Sequence, residues 1–259
     1  GAINPRRPLY GLDSNLSDAT YSVSDGLSNY NSLQVSLDKR LGRGLTMLAG
    51  YTYSHAIDNV GTDFGGGTGT PQDPRYRNLE RGNSAFDLRH RFTLSYTYSI
   101  PGFRNKGITG LLLGNWQLNG ILVTQTGLPF TPSLSSATVN TGTGSRPNCL
   151  ADPTLSSGQR SLHDWFNLAD FGTPAPYVYG NCGRNTLFGP GRTNLDQSLF
   201  KDFPIHERFR VQFRAEAFNL LNHPQFGQPN ATIGSSSAGI ISSIVGNPRE
   251  LQGSLRLVF

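Results

Sequence analysis

Seven stretches of the chain alternate apolar and polar residues, and this pattern limits the fold more than any other feature. In the clearest stretch, DLRHRFTLSYTYSI, every second residue from Phe92 to Ile100 is apolar, and polar residues stand between them. A period of two is typical of a β-strand whose two faces meet different surroundings, and a helix would need a period of 3.6. The sequence therefore predicts an all-β chain.

The seven predicted strands are spread over most of the sequence, and only Gln197 interrupts the apolar face of the fifth. In order, they are Ser28–Leu41, Leu45–His55, Asp87–Ile100, Trp116–Gly127, Asn194–Phe203, Arg208–Asn219 and Arg249–Phe259. The last of them, RELQGSLRLVF, closes the given sequence with an aromatic residue and no polar tail. We expect such a strand end in an apolar environment such as a membrane.

Composition excludes a helical membrane protein. The chain has 31 glycines, 16 prolines and only 36% hydrophobic residues in 259. Its longest apolar run, Ile108–Leu113, is interrupted by Gly110. A helix that crosses a bilayer needs about 20 apolar residues, so only strands remain as membrane-crossing elements.

The connections between the predicted strands alternate in length. Short turns around Gly42, Pro101 and Pro204 alternate with long loops rich in Gly, Ser, Asn and Pro, so every long loop falls at the same end of the sheet. The long loops cover about residues 56–86, 128–193 and 220–248. Short periplasmic turns and long extracellular loops are typical of an outer-membrane β-barrel. The sequence therefore predicts an antiparallel transmembrane β-barrel located in the outer membrane.

The polar faces argue against a soluble β-sandwich. Arg210, Arg214 and Glu216 lie on one such face, and a dry core shared by two sheets would not accept these charges. A water-filled barrel interior accepts them. Aromatic residues also group at the two expected membrane boundaries, where their rings are favoured. Tyr51 and Tyr53 fall at one boundary, and Tyr96, Tyr98, Trp116, Phe209 and Phe259 fall at the other.

Seven antiparallel strands do not close a barrel, because the first and the last would run parallel. We therefore expect residues 28–259 to form the C-terminal part of a longer barrel and residues 1–27 to be the remnant of an extracellular loop. An eighth strand within residues 17–24 is a weaker alternative, since its alternation is poor.

The two cysteines, Cys149 and Cys182, lie in one long loop and are not spaced as a CxxC pair. A disulfide is a better prediction for them than a metal site, and it favours an oxidising compartment. The formal charge of +5 is scattered over strands and loops, without a basic arm or a nucleic-acid-binding motif. We therefore expect no nucleic-acid partner.

Catalytic and metal-binding patterns are incomplete. The SxxK match at Ser198–Lys201 lies on a predicted strand and lacks its partner motifs. The five histidines are isolated, and Asp58, Asp63 and Asp73 do not have the spacing of a calcium loop. We expect no enzymatic activity, no cofactor and no resident metal.

Several stretches together resemble the C-terminal region of TonB-dependent outer-membrane receptors, in particular the group with an N-terminal carboxypeptidase-regulatory-like domain. They span most of residues 28–259. The stretches are SNYNSLQVSLDKR, DLRHRFTLSYTY, NWQLNGI, TQTGLPFT, GRNTLFGPGRTNLDQSLFKDFPI, FRAEAFNLLNHPQFGQPN and VGNPRELQGSLRLVF. They are specific as a set, although no single stretch is.

The resemblance implies a barrel of about 22 strands around an N-terminal plug, of which this chain would supply the last seven. It implies uptake of a scarce, bulky nutrient such as a siderophore or a glycan, driven by a TonB-type periplasmic protein that pulls on the plug. The last strand resembles the signal read by the barrel-assembly machinery, with Leu251, Leu255, Leu257 and Phe259 on its lipid-facing row. The chain departs from the family in having no plug, no motif for the energising partner and a cysteine pair.

Candidate contacts for an extracellular ligand are the aromatic and basic loop residues Arg75, Tyr76, Arg77, Trp165, Phe166, Tyr177 and Tyr179. Packing of the long loops against each other is the more common role for any one of them. An alternative function is a self-contained adhesin or binding barrel that transports nothing. A secreted β-sandwich enzyme is a third possibility, and it lacks a catalytic constellation.

Overall fold

The computed structural model of the chain contains one large antiparallel sheet and three long loops. The residues it describes are 5, 7, 10–14, 24–41, 44–60, 71–73, 75–101, 107–139, 141, 144–206 and 209–259. The weaker alternative of a strand within residues 17–24, and most of the predicted loop remnant 1–27, lie outside this part of the chain.

The seven long strands follow each other in the sheet in chain order, each hydrogen-bonded to the next. They are β1 (Ser28–Leu41), β2 (Leu45–Asp58), β4 (His90–Ser99), β5 (Trp116–Gln125), β11 (Arg192–His206), β12 (Phe209–Phe218) and β14 (Glu250–Val258). The short strand β3 (Gly82–Asn83) pairs with the end of β2. The prediction of an all-β, antiparallel fold is confirmed.

The register brings the apolar rows of all seven strands onto one face of the sheet. Residues paired across an antiparallel ladder point to the same face. Val35 pairs with Tyr51, which pairs with Phe92. At the other edge, Val211 pairs with Phe203 and with Leu257. A slip by one residue would move the apolar side chains of a strand to the opposite face. The continuous apolar face therefore shows that the register of each strand agrees with its alternation of apolar and polar residues.

The opposite face is polar and joined by side-chain contacts between strands. Arg214 lies over the ring of Phe200 at 4.6 Å, and its Nε donates to Gln212 at 2.7 Å. Gln212 in turn donates to Asp202 across the β11–β12 ladder at 2.9 Å. These contacts keep charged groups hydrogen-bonded on a face that a dry core would not accommodate.

Lys201 is a charged residue on the apolar face. The register pairs it with Trp116, and its side chain is fully buried. Its Nζ donates to the Gly114 carbonyl, and the rings of Trp116 and Phe203 lie 5.6 and 4.8 Å away. The ammonium is therefore kept near the end of the strand, where a carbonyl and two aromatic faces replace its water shell.

Three local predictions are wrong. The third predicted strand begins at Asp87, but β4 begins at His90, so Asp87 and Arg89 precede it. Asp87 is fully buried and accepts hydrogen bonds from the Ala56 amide at 2.7 Å and from Arg89 Nε at 2.9 Å. The turn expected at Pro204 lies further on, because β11 continues to His206 through a register shift. The connection after Pro101 is longer than expected and contains the helix α1 (Ile108–Leu113).

None of the helices in the described residues has the length and apolar character needed to cross a membrane.

The long connections, residues 59–89, 126–191 and 219–249, leave the sheet at one end, which we call the loop end; the opposite end is the turn end. They contain three small two-stranded sheets made of short strands. These strands are β6 (Pro129–Phe130), β7 (Ser133–Leu134), β8 (Asn148–Cys149), β9 (Phe171–Gly172), β10 (Leu187–Phe188) and β13 (Thr232–Ile233).

The assignment of the two faces predicts opposite effects for neighbouring substitutions in β4. Leu94→Arg places a charge on the apolar face and should destabilise the folded state in a membrane by about 2–4 kcal/mol. The matched substitution Ser95→Arg, on the polar face, should cost much less. The measurement is the urea concentration at which half of the full-length protein has lost its folded band, which is the gel band whose mobility changes on heating. Equal midpoints for the two variants would contradict the assignment of the faces.

Candidate functional site

The stretches that carried the family resemblance come together at the loop end. β6 pairs with β10, and the Gly189 amide donates to the Leu128 carbonyl at 2.9 Å. A Cβ added at Gly127 would overlap the Gly189 carbonyl oxygen, so only glycine allows this approach of the two backbones. TQTGLPFT and FGPGR therefore form one backbone junction.

The third long loop joins this junction through amide side chains. Gln228 donates to the Leu128 carbonyl at 3.1 Å, and Gln225 accepts from the Thr193 amide at 3.1 Å. Asn219, at the end of β12, has a φ of 47° and donates from its backbone to Asp196 at 2.9 Å. Asparagine tolerates this left-handed conformation better than most residues do, so it suits the exit of the strand.

A reciprocal pair of asparagines links the first long loop to the second. Asn83 Nδ2 donates to the Asn185 carbonyl at 2.8 Å, and Asn185 Nδ2 donates to the Asn83 carbonyl at 2.7 Å. Thr131 also donates to the Asn185 side chain at 2.9 Å. All three loops are thus held together as one assembly by hydrogen bonds.

Two buried ion pairs strengthen the same contact. Arg184 pairs with Asp58, and Arg146 pairs with Glu80, with all four side chains at most 10% exposed. Arg184 also donates to the carbonyls of Asp58 and Glu80, both at 2.8 Å. Asp58 shares the polar face with the other even-numbered residues of β2. The segments of the second loop that carry Arg146 and Arg184 therefore lie over the polar face at the loop end.

A disulfide joins Cys149 and Cys182, whose Cα atoms are 5.0 Å apart. Cys182 belongs to a small hydrophobic core of the loops together with Phe166, Phe171 and Leu187. The rings of Phe166 and Phe171 meet edge to face, with centroids 5.7 Å apart. This core gives the second loop its own packed interior.

The predicted ligand-contact residues have different environments. Phe166 is 3% exposed and is part of the loop core, so its side chain packs inside the loop. Trp165 is half-buried and donates its indole N–H to the Phe188 carbonyl at 2.8 Å. Arg77 pairs with Asp25 at 3.1 Å, whereas Tyr177 is strongly exposed.

Arg75, Tyr76 and Tyr179 are the predicted residues that the structure brings together. Arg75 pairs with Asp73 at 2.7 Å, and its guanidinium lies 5.7 Å from the centre of the Tyr76 ring. Asp73, and to a lesser extent Tyr179, raises the pKa of Arg75, while Arg75 lowers the pKa of Asp73. Tyr76 is more than half exposed. We call Arg75, Tyr76 and Tyr179 the loop patch.

Cavities lined by described residues border the loop assembly. The polar-face cavity, about 560 Å³, is bounded by Asn194, Asp196, Phe218 and Asn247 among others, and a second of about 500 Å³ lies beside the buried arginines Arg146 and Arg184. The outer cavity, about 810 Å³, opens on the apolar face. Its lining includes Tyr51, His90, Phe92 and Thr193 from the strands and Arg160 and Trp165 from the second loop.

The structure does not bring together the residues of the incomplete catalytic and calcium-binding patterns. Ser198 faces the polar side of β11 and Lys201 faces the apolar side, so the two side chains do not meet. Asp58 and Asp73 are each paired with an arginine, and Asp63 lies outside the described residues. Within the described part of the chain, no group of three or more histidine, cysteine or acidic side chains is placed to hold a metal ion.

The residues with the strongest role in the loop assembly escaped prediction. Arg184 and Asp58 are 126 positions apart in the sequence, and Arg146 and Glu80 are 66 apart. No local pattern indicates such pairs, since each residue alone looks like an ordinary loop or strand-end charge. The run of amide residues in NHPQFGQPN was the only local sign of a hydrogen-bonded junction.

Removing one partner of the buried pair should release the second loop. Arg184→Ala leaves Asp58 buried and unpaired, and we expect a loss of about 3–5 kcal/mol. Limited proteolysis of the folded protein should then cleave the loop much faster. Arg75→Ala removes a guanidinium that is 73% exposed, so it is the matched control and should change the cleavage rate much less. Similar rates for both variants would contradict the role of the buried pair.

The disulfide should protect the second loop independently of the strands. Before reduction, neither Cys149 nor Cys182 should react with an alkylating reagent. Replacing both with alanine should destabilise the loop by about 2–4 kcal/mol, because the crosslink lowers the conformational entropy of the unfolded loop. The readout is again the proteolysis rate of the loop. Alkylation of an unreduced sample would contradict the bond.

The comparisons with known proteins give a family and no individual relative. A family model described as an outer membrane beta barrel domain matches residues 1–252. No curated protein and no solved structure matches the chain. The apolar and polar faces of the sheet are those of a wall between lipid and water, which agrees with this match. The chain therefore belongs to the outer membrane β-barrel domain family and is located in the bacterial outer membrane.

Proposed function

We propose that this chain is part of the wall of a TonB-dependent receptor that takes up a scarce, bulky nutrient across the outer membrane. The proposal rests on the polar, hydrogen-bonded face of the sheet, which is covered at the loop end by loops that hydrogen bonds and ion pairs hold together. Such a face suits the water-filled interior of a wide barrel, and the loops suit a binding site above it. The sequence resemblance points to the same class of receptor.

The edges of the sheet restrict the number of strands in the barrel. In the described residues, the outer edges of β1 and β14 have no strand partner. Unpaired backbone groups cost several kcal/mol each in lipid, so a membrane wall of this kind needs further strands between these two edges. Because β1 and β14 run in the same direction, the number of added strands is odd. A barrel of about 22 strands meets this requirement.

The nutrient would meet the loops first. On this proposal the loop end is extracellular, and the loop patch of Arg75, Tyr76 and Tyr179 offers one cation and two aromatic surfaces to a ligand. The polar-face cavity lies below the loops and presents amide and carboxylate groups toward the barrel interior. Together they form a path from the loops to the polar face.

Two protein partners follow from the same proposal. The energising partner is a TonB-type periplasmic protein that acts on a plug within the barrel. The barrel-assembly machinery would recognise β14 and its lipid-facing row, whose exposed side chains are Leu251, Leu255, Leu257 and Phe259.

The test is the identity of the native product. An antibody raised against the second loop should capture, from the outer membrane of the native host, a polypeptide much larger than 28.2 kDa that contains a plug domain. Crosslinking in living cells should attach this product to the TonB-type protein. The matched control is a strain without the TonB-type protein, in which the crosslinked band should disappear.

A captured product of about 28.2 kDa that forms no crosslink would overturn the transporter proposal. That result would favour the alternative function, a self-contained binding or adhesin barrel whose loops hold a partner without transport.

A further inference from the structure

The outer cavity lies on the membrane side of the wall. Its strand lining includes Tyr51, Phe92 and Thr193, which belong to the apolar rows of β2, β4 and β11. The second loop extends over this face and closes the cavity from above with Arg160 and Trp165. A molecule inside it therefore touches the apolar wall below and the loop above. A nutrient that crosses the barrel along the polar face does not reach this position.

The charges around the outer cavity favour an anion. Arg89, Arg160 and Arg192 line it, and none of its lining residues carries a carboxylate. Asp87 pairs with Arg89, but it is fully buried and does not line the cavity. Asp87 thus offsets the charge of Arg89, and the register of β11 places the Arg192 side chain on the polar face, so Arg160 supplies the positive charge on the apolar side.

Arg160 is the best-placed cation. Its guanidinium stacks over the Trp165 ring at 5.4 Å, and its Nε donates to the Leu155 carbonyl at 2.7 Å. The Leu155 carbonyl thus takes the Nε donor, and the two terminal nitrogens carry the remaining donors of the guanidinium. A guanidinium held in this way presents a planar pair of donors, which suits a phosphate group.

Aromatic residues mark the depth of the cavity. Tyr51 Oη and His90 Nδ1 are hydrogen-bonded at 2.8 Å, and the Tyr53 ring lies 5.1 Å from the His90 ring. Amphipathic rings of this kind prefer the boundary between acyl chains and headgroups. The cavity thus lies at headgroup level, with the apolar face of the sheet below it.

We propose that the outer cavity binds the phosphorylated headgroup of an outer-leaflet lipid, with Arg160 as the main phosphate contact. The acyl chains lie along the apolar face below Phe92, and Trp165 covers the headgroup from the loop side. The site depends on membership in the outer membrane barrel family and not on the transporter proposal, so it stands for a binding barrel as well.

The experiment measures lipid retention by the full-length protein in detergent. Native mass spectrometry counts bound molecules after exposure to phosphorylated lipid A, and to the same lipid A with its phosphates removed. The unmodified protein should retain the phosphorylated form at least about tenfold more strongly, as expected for charge-assisted hydrogen bonds. Arg160→Gln should remove most of this difference, and Arg160→Lys should restore part of it. Heat-modifiable mobility verifies that each variant is folded.

Arg214→Gln is the matched control, because it removes the same charge from the polar face and should leave lipid retention unchanged. Unchanged retention in Arg160→Gln would overturn the site, and so would an equal loss in both variants. The last measurement is a competition between the bound lipid and inorganic phosphate. Complete displacement of the lipid by millimolar phosphate would assign the cavity to a soluble anion and overturn the lipid proposal.

Discussion

The shared register of the seven strands is the constraint on which the other features depend. Each of the six ladders between the long strands pairs apolar with apolar positions, so the sheet has one face for lipid and one for water. A slip of one residue in any ladder would expose charges to acyl chains. The same register places both cavities, since the polar-face cavity and the outer cavity open on opposite faces of the sheet.

The loop assembly adds a second level of organisation. Its junctions use glycine where backbones meet, asparagine where the chain needs a left-handed residue, and buried arginines where carbonyls converge. These contacts are dense enough to hold the loops in one arrangement. Exposed aromatic and basic groups of the loop patch are thus presented from a fixed support, as is common for binding residues on loops.

The fold was largely predictable from the sequence, while the site was not. Alternation is a local signal, and it identified β1 with its observed bounds and the cores of the other six strands. The contacts of the loops are long-range, and the Arg184–Asp58 pair illustrates the difference. The burial of Phe166 in the loop core was not predictable, because burial of a loop residue depends on neighbours that a single sequence does not reveal. Lys201 lies on the apolar face, and only the structure shows the Gly114 carbonyl that receives it.

The disulfide and the Arg184–Asp58 pair impose different requirements on the order of folding. Cys149 and Cys182 both belong to the loop between β5 and β11, so their bond closes within one segment and needs no strand to be in place. Arg184 reaches Asp58 only after β2, β4 and β5 have become neighbours in the sheet. The disulfide is thus a constraint within one loop, whereas the ion pair is a constraint between that loop and the sheet.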